Sequence, residues 1–298
     1  MNRTNHAILS AAFRIAKSAK AKALFISLDT LNEVPDEDSP KGCSLILVTR
    51  RGPDELEGFF PDGSHGARPM IQLPKIDMTR MGQVKMSVVL ALSTKLIEMG
   101  DKIVFVTGIP EMERLDMVLL LDTAKESEVL TTQGVNGISE SVKPEVFEEA
   151  LGIALELGAR GREGKSVGTI FVLGDEEKVL QLSKQMIINP FKGYTEEERN
   201  ILNPKLKETL REFAALDGAF VVSGDGLVLN AGRYLGAASD EATIPRGLGS
   251  RHIAAAGITA LTDAIAIVIS ESTGDVRIFK NGKILMEIEK PIKVASTN

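Results

Sequence analysis

The chain of 298 residues has no tryptophan, one cysteine and three histidines, and each shortage removes a class of function. With Cys43 alone, no intrachain disulfide forms and no Cys cluster holds zinc. A reducing, cytoplasmic setting fits, and a lone Cys beside the strand-like run 44–49 reads as core filling. His6, His65 and His252 are scattered, which argues against a poly-His metal centre and leaves oxygen donors for any metal. Aromatic residues make up 4%, too few for stacking platforms along single-stranded nucleic acid, and a net charge of -6 gives no basic footprint for a phosphate backbone. Nucleic acid is not an expected partner, although a small nucleotide needs only a local pocket of donors and a few cations. The longest apolar stretch, residues 258–269, contains Thr259, Thr262 and Asp263 and is too short to span a bilayer, so no membrane association is expected.

What is present is ordinary for a globular protein: 43% apolar and 26% charged residues, in a chain long enough for two domains. Before Asp29 there is no acid, while Arg3, Arg14, Lys17, Lys20 and Lys22 are basic and Ile8, Ala12, Ile15 and Ala19 share one helical face. Such a segment reads either as an organellar transit peptide or as the first amphipathic helix of a domain, running directly into a strand at 23–28.

Periodicity predicts an N-terminal α/β domain over 1–125. Its helices are expected at 5–20, 78–99 and 112–120, and its strands, parallel to one another, at 23–28, 44–49, 69–73 and 102–107. A Ser/Thr/Gly-rich stretch over 122–142 marks the change to a second domain, 126–298. There, helices are expected at 144–157 and 175–188, with another running from the capping box of Thr195 and Glu198 to Ala215. Strands are expected at 167–173, 219–223, 227–230, 264–270, 275–280 and 284–288, forming a mixed sheet with flanking helices, one of them late, at 251–261. Gly224-Asp225-Gly226 and Asn281-Gly282 are hairpin signals.

Four polar clusters sit at element junctions. Residues 159–166, Ala159-Arg160-Gly161-Arg162-Glu163-Gly164-Lys165-Ser166, nearly spell a P-loop, but Ala159 stands where the first Gly belongs, and a helix precedes where the motif needs a strand. A solvated basic turn is the better reading. Gly249-Ser250-Arg251-His252 opens a helix, where glycines allow close backbone approach, free amides attract anions and the guanidinium fork binds phosphate oxygens; plain capping by Ser250 is the bland alternative. Asp217-Gly218-Ala219 lies between a helix and a strand and offers a carboxylate to a cation or hydroxyl, or is simply a turn. Ser270-Glu271-Ser272-Thr273-Gly274, at a strand end, offers hydroxyls and a carboxylate, or is a polar hairpin.

In this order, Asp217-Gly218-Ala219, Gly249-Ser250-Arg251-His252 with Ala254-Ala255, and Ile267-Val268-Ile269-Ser270-Glu271 with Thr273-Gly274 resemble the DGA, RHR and serine-glutamate signatures of the diadenylate cyclase family. Residues 168–175 and 189–193 resemble the opening of that domain, and the layout of the whole chain resembles the archaeal form. Ile253 stands where the family has the second Arg of RHR. The resemblance implies condensation of two ATP into cyclic di-AMP and two pyrophosphates, each 3′-hydroxyl attacking the partner's α-phosphorus across a face-to-face homodimer. It implies Asp217, Arg251 and His252 as catalytic residues. Gly218, Ala219, Gly249, Ser250, Arg251, Ser270 and Thr273 become nucleotide contacts, with Asp217 and Glu271 as ligands of Mn²⁺ or Mg²⁺. The N-terminal half resembles the C-terminal α/β domain of pyruvate kinase, with assembly or regulation as its expected role. Cys43, His65 and Asp77 read as structural there, and Gly63-Ser64-His65-Gly66 as a loop. Two other readings remain open at this point: a nucleotide-binding sensor of ATP or cyclic di-AMP, motivated by Ile253, and an unrelated α/β protein in which all the motifs are turns.

Overall fold

The computed structural model describes residues 2–33, 35, 40–60, 68–125, 141–161, 165–236 and 248–291. It divides into two units, Met1–Lys75 with Arg80–Thr132, and Ile76–Thr79 with Gln133–Asn298. The expected domain change at 125/126 and the Gly63–Gly66 loop fall on or beside residues outside the described ones.

In the first unit, α1 (Arg3–Ala19) starts where the Asn2 side chain accepts the Asn5 amide at 2.7 Å, and stops at Lys20, whose φ of 54° leaves the helix. Leu9, Ala12, Phe13 and Ala16 recur at helical spacing and are buried against alternate residues of the sheet, Leu24, Ile26, Leu45, Leu47, Val104 and Val106. Removing a side chain the size of Leu9 from water contributes about 1.5–3 kcal/mol. The sheet has the order β3-β2-β1-β4-β5. β1 (Ala23–Ser27), β2 (Ser44–Thr49), β3 (Met70–Gln72) and β4 (Lys102–Ile109) run parallel, with α2 (Pro53–Phe59) and α3 (Arg80–Ser93) among their connections. Cys43 is buried and its thiol pKa is raised by that burial, which keeps it an unreactive core residue.

The helix expected at 112–120 is instead β5 (Arg114–Asp122), antiparallel to β4. Glu113, at φ 49°, turns the chain back, and the buried Asn5 side chain holds both sides of the turn, donating to the Glu113 carbonyl at 3.0 Å and accepting the Leu115 amide at 2.9 Å. Pairing along β4 overrides the helical reading of 112–120, because the edge of a sheet leaves hydrogen-bonding groups that a strand satisfies and a helix does not.

The second unit is a sheet of order β12-β11-β10-β6-β8-β9-β7. Its strands are β6 (Ile170–Leu173), β7 (Ser183–Gln185), β8 (Ala219–Val222), β9 (Val228–Leu235), β10 (Ile265–Ile269), β11 (Val276–Lys280) and β12 (Lys283–Ile288). Ile170, Val172, Ala219, Val221, Ala266 and Val268 face α7 (Ser250–Leu261), whose Ala255, Ala256 and Ile258 are buried against them. The alternate residues face the other way, toward the side on which α4 (Pro144–Arg160) packs on β10 and β11. There Phe171 and Phe220, opposite each other in register, stack with centroids 4.8 Å apart.

The helix expected over 175–188 ends early, as α5 (Glu176–Gln181), and Ser183–Gln185 instead pairs with β9 as an edge strand. The capping box at Thr195 and Glu198 does form, with Glu198 Oε2 accepting the Thr195 amide at 2.9 Å. It starts no long helix. The Asn200 and Asn203 side chains take the Leu202 and Lys205 amides at 2.9 and 3.1 Å, Pro204 disfavours helical geometry before it, and only α6 (Leu206–Phe213) follows. Glu156 of α4 holds α6 through Lys207, at 2.7 Å, and Arg211. Among the described residues no helix is long and apolar enough to cross a membrane.

Both tyrosines, Tyr194 and Tyr234, lie in the second unit, so tyrosine fluorescence reports its unfolding. Phe171→Ala should lower the stability of that unit by about 3–5 kcal/mol in urea, through lost burial and the cavity left against Phe220. A loss below about 1 kcal/mol would mean that the stack is not part of a rigid core.

Candidate active site

The junctions that hold the sequence motifs converge because of strand direction. β6 is parallel to β8 and antiparallel to β10, so the amino ends of β6 and β8 and the carboxyl end of β10 lie at one edge of the sheet. Asp217 precedes β8, Glu271 follows β10, Lys165 to Gly168 lead toward β6, and Arg251 sits in the first turn of α7.

These groups surround an open cavity of about 310 Å³, lined among the described residues by Lys165, Ser166, Gly168, Ala215, Asp217, Arg251, Glu271 and their neighbours. Arg251 is the hub. One guanidinium nitrogen donates to Glu271 Oε2 at 2.8 Å, and the other lies 3.5 Å from Asp217 Oδ1. The acids stand in the open, with side-chain exposures of 91% for Asp217 and 60% for Glu271 against 31% for Arg251. The backbone of Gly168 lies against this cluster: a Cβ there would fall 2.8 Å from Glu271 Cβ and 2.9 Å from an Arg251 nitrogen.

His252 is buried and is not among the described residues that line the cavity. Its Nε2 lies 3.0 Å from an Arg277 nitrogen, and because a guanidinium only donates, Nε2 accepts and the imidazole is the neutral Nδ1–H form. Burial pushes its pKa down from 6.5 to about 4, the neighbouring Arg277 adds to the fall, and the Gly249 carbonyl opposes it. Arg277 is fixed in turn by Glu287, so His252 ties the first turn of α7 to β11.

The remaining sequence candidates surround the cluster without lining the cavity. Gly218, at φ 104°, is required where β8 meets β9, since a Cβ would lie 2.7 Å from the Arg233 amide nitrogen; Ala219 is the buried first residue of β8. Gly249 and Ser250 are exposed at the start of α7, and Gly249 is the N-cap in place of Ser250. Ser270 is buried in a turn in which its hydroxyl meets that of Ser272 at 3.2 Å, while Thr273 Oγ1 accepts the Asp275 amide at 3.2 Å. Lys165, Ser166 and Gly168 line the cavity although the sequence motifs assigned them no site role. The P-loop reading fails as expected, since α4 precedes and β6 follows. The fixed point it obscured is the short lead into β6, where a basic and a hydroxyl side chain precede a glycine.

A family model described as DisA bacterial checkpoint controller nucleotide-binding matches residues 156–284, and one described as probable sensor domain DacZ_P matches residues 3–131. A protein named diadenylate cyclase from Methanocaldococcus jannaschii is 38% identical over 260 residues, 86% of this chain and 82% of that one. The chain belongs to the diadenylate cyclase family. A second diadenylate cyclase, from Haloferax volcanii, is 33% identical over 233 residues, 77% of this chain and 83% of that one. A crystal structure of DacA from Staphylococcus aureus is 25% identical, covering 49% of this chain and 87% of that one, with a TM-score of 0.36. As a member of the family the chain is a nucleotidyltransferase that makes cyclic di-AMP from ATP, with a divalent cation. Among the described residues no cluster of three or more His, Cys, Asp or Glu could hold that ion by itself. Asp217 and Glu271 nonetheless fit it, because Mg²⁺-like ions take one or two carboxylates and complete their shell with phosphate oxygens and water.

Because His252 is neutral in the fold, its contribution to stability is complete above pH 6.5 and is lost as the pH falls toward 4, where the unfolded chain holds a proton that the folded one does not. The tyrosine-detected unfolding temperature should therefore drop between pH 7 and pH 5, and His252→Gln should show a shallower drop across the same window. Equal slopes would show that His252 is not the group that titrates.

Proposed function

We propose that the cavity takes one ATP per chain and that two chains meet face to face to join their nucleotides. The observation that carries this reading is the convergence of Asp217, Arg251 and Glu271, from three separate junctions, on one guanidinium at the mouth of one cavity. Arg251 presents a planar fork suited to phosphate oxygens. Asp217 orients the ribose 3′-hydroxyl, and with Glu271 it holds Mn²⁺ or Mg²⁺, which offsets phosphate charge when bound. Gly249 and Ser250 bring backbone donors to the phosphates at the start of α7, Gly218 and Ala219 flank the nucleotide, and Ser270 and Thr273 shape the turn that carries Glu271. His252 acts through Arg251: its contact with Arg277 sets the position of the first turn of α7.

The dimer follows from stoichiometry. Among the described residues each chain has one such set of groups, the product joins two nucleotides, and the exposure of Asp217 and Glu271 leaves room for a partner's nucleotide to approach. Alignment of the two reactants supplies much of the acceleration, since a bimolecular reaction becomes a reaction within one assembly. The first unit, matched by a sensor-domain description, is assigned assembly or regulation.

Purified protein incubated with ATP and either Mn²⁺ or Mg²⁺ should form cyclic di-AMP, read by chromatography, and its specific activity should rise with chain concentration as dimers form. Asp217→Asn should lower turnover by about 100-fold or more while leaving the fold intact, because the side chain is exposed. Saturable ATP binding without product from the parent protein would favour a sensor instead. Parental turnover by Asp217→Asn would remove Asp217 from the chemistry.

A further inference from the structure

We propose that Lys165 supplies the cation that holds the outer phosphates of the bound nucleotide and the pyrophosphate that departs, an inference that rests on reading the cavity as an ATP site. Among the described residues, the charges that line the cavity are two carboxylates, Asp217 and Glu271, and two cations, Arg251 and Lys165. Arg251 is engaged with both carboxylates. The exposed Lys165 makes no side-chain hydrogen bond or ion pair among the described residues, so it is the uncommitted cation of the described lining. A triphosphate is a chain of anionic groups, and one guanidinium fork matches a single phosphate. The compact ammonium, on a flexible stem, serves as a second point charge further along the chain.

Lys165 is also held in place by its backbone. At the end of α4, Gly161 comes so close that a Cβ on it would lie 2.1 Å from the Lys165 carbonyl oxygen. Three residues on, Gly168 abuts Arg251 and Glu271. The lead into β6 is therefore anchored to a helix end on one side and to the catalytic cluster on the other, and Ser166 lines the same wall. In the reaction, the 3′-hydroxyl oxygen forms a bond to the α-phosphorus and its proton is released to water. The bond from that phosphorus to the bridging oxygen breaks, and the electron pair leaves on pyrophosphate. Lys165 offsets the charge that gathers there and exchanges no proton.

The test is Lys165→Met in the full chain, with Lys165→Arg beside it. Because a charge-assisted contact to phosphate is lost, kcat should fall about tenfold or more, and product inhibition by pyrophosphate should weaken by a similar factor. Inhibition by cyclic di-AMP, which lacks the departing phosphates, should stay at the parental level, and Lys165→Arg should recover most of both losses. Calorimetry with pyrophosphate and Mg²⁺ gives the same comparison without turnover. Pyrophosphate affinity and kcat within about twofold of the parent in Lys165→Met would overturn the assignment. A parent that binds pyrophosphate through Lys165 yet forms no cyclic di-AMP would overturn the cyclase reading and leave this one standing.

Discussion

Strand β6 hydrogen-bonds in parallel with β8 and antiparallel with β10, and its register sets Ile170 opposite Ala219 on one side and Val268 on the other. Parallel neighbours bring like ends together, whereas an antiparallel neighbour brings an opposite end, so one strand gathers two amino ends and one carboxyl end. Asp217, Gly168 and Glu271, far apart in sequence, become neighbours for this reason. The register is enforced by the core: Phe171 must meet Phe220 on one face while Val172 and Val221 meet α7 on the other. A slip of one residue would exchange the two faces and dismantle both packings together.

Built on that frame, the polar cluster depends on the placement of α7. Its buried side is small and apolar, which lets the helix lie close to the sheet, and its first turn is fixed by a neutral histidine against Arg277. Keeping His252 uncharged avoids a third positive charge beside Arg277 and Arg251, in a buried setting where the Glu287 carboxylate is already paired with Arg277. The neighbouring positions 251 and 252 thus divide two tasks, one facing the cavity and the other facing the core.

Much of this was legible in the sequence, for identifiable reasons. β1, β2 and β4 are apolar runs bounded by turn residues, and α1 and α7 carry clear helical stripes, so local pattern and tertiary packing agree. Asp217, Arg251 and Glu271 stood out because their motifs occur in order at element junctions. Elements failed where local pattern and long-range pairing disagreed: residues 112–120 read as a helix, but Arg114–Asp122 completes the ladder of β4, and Ser183–Gln185 is a strand only because β9 lies beside it. The burial of His252 could not be foreseen, because its environment is made by Arg277 and Phe279 from the far side of a hairpin. Lys165 reads as part of a solvated basic turn in the sequence, and only the fold places it on one cavity with Asp217, Arg251 and Glu271.

The double engagement of Arg251 has an effect beyond geometry. With its guanidinium between two acids and Lys165 lining the same cavity, the charges of the described lining residues cancel in number, so together they project little field into solvent. A nucleotide would be caught by short-range fit rather than drawn in from a distance. Occupancy of such a pocket would then follow the concentration of its ligand in the surroundings rather than the reach of an attractive field.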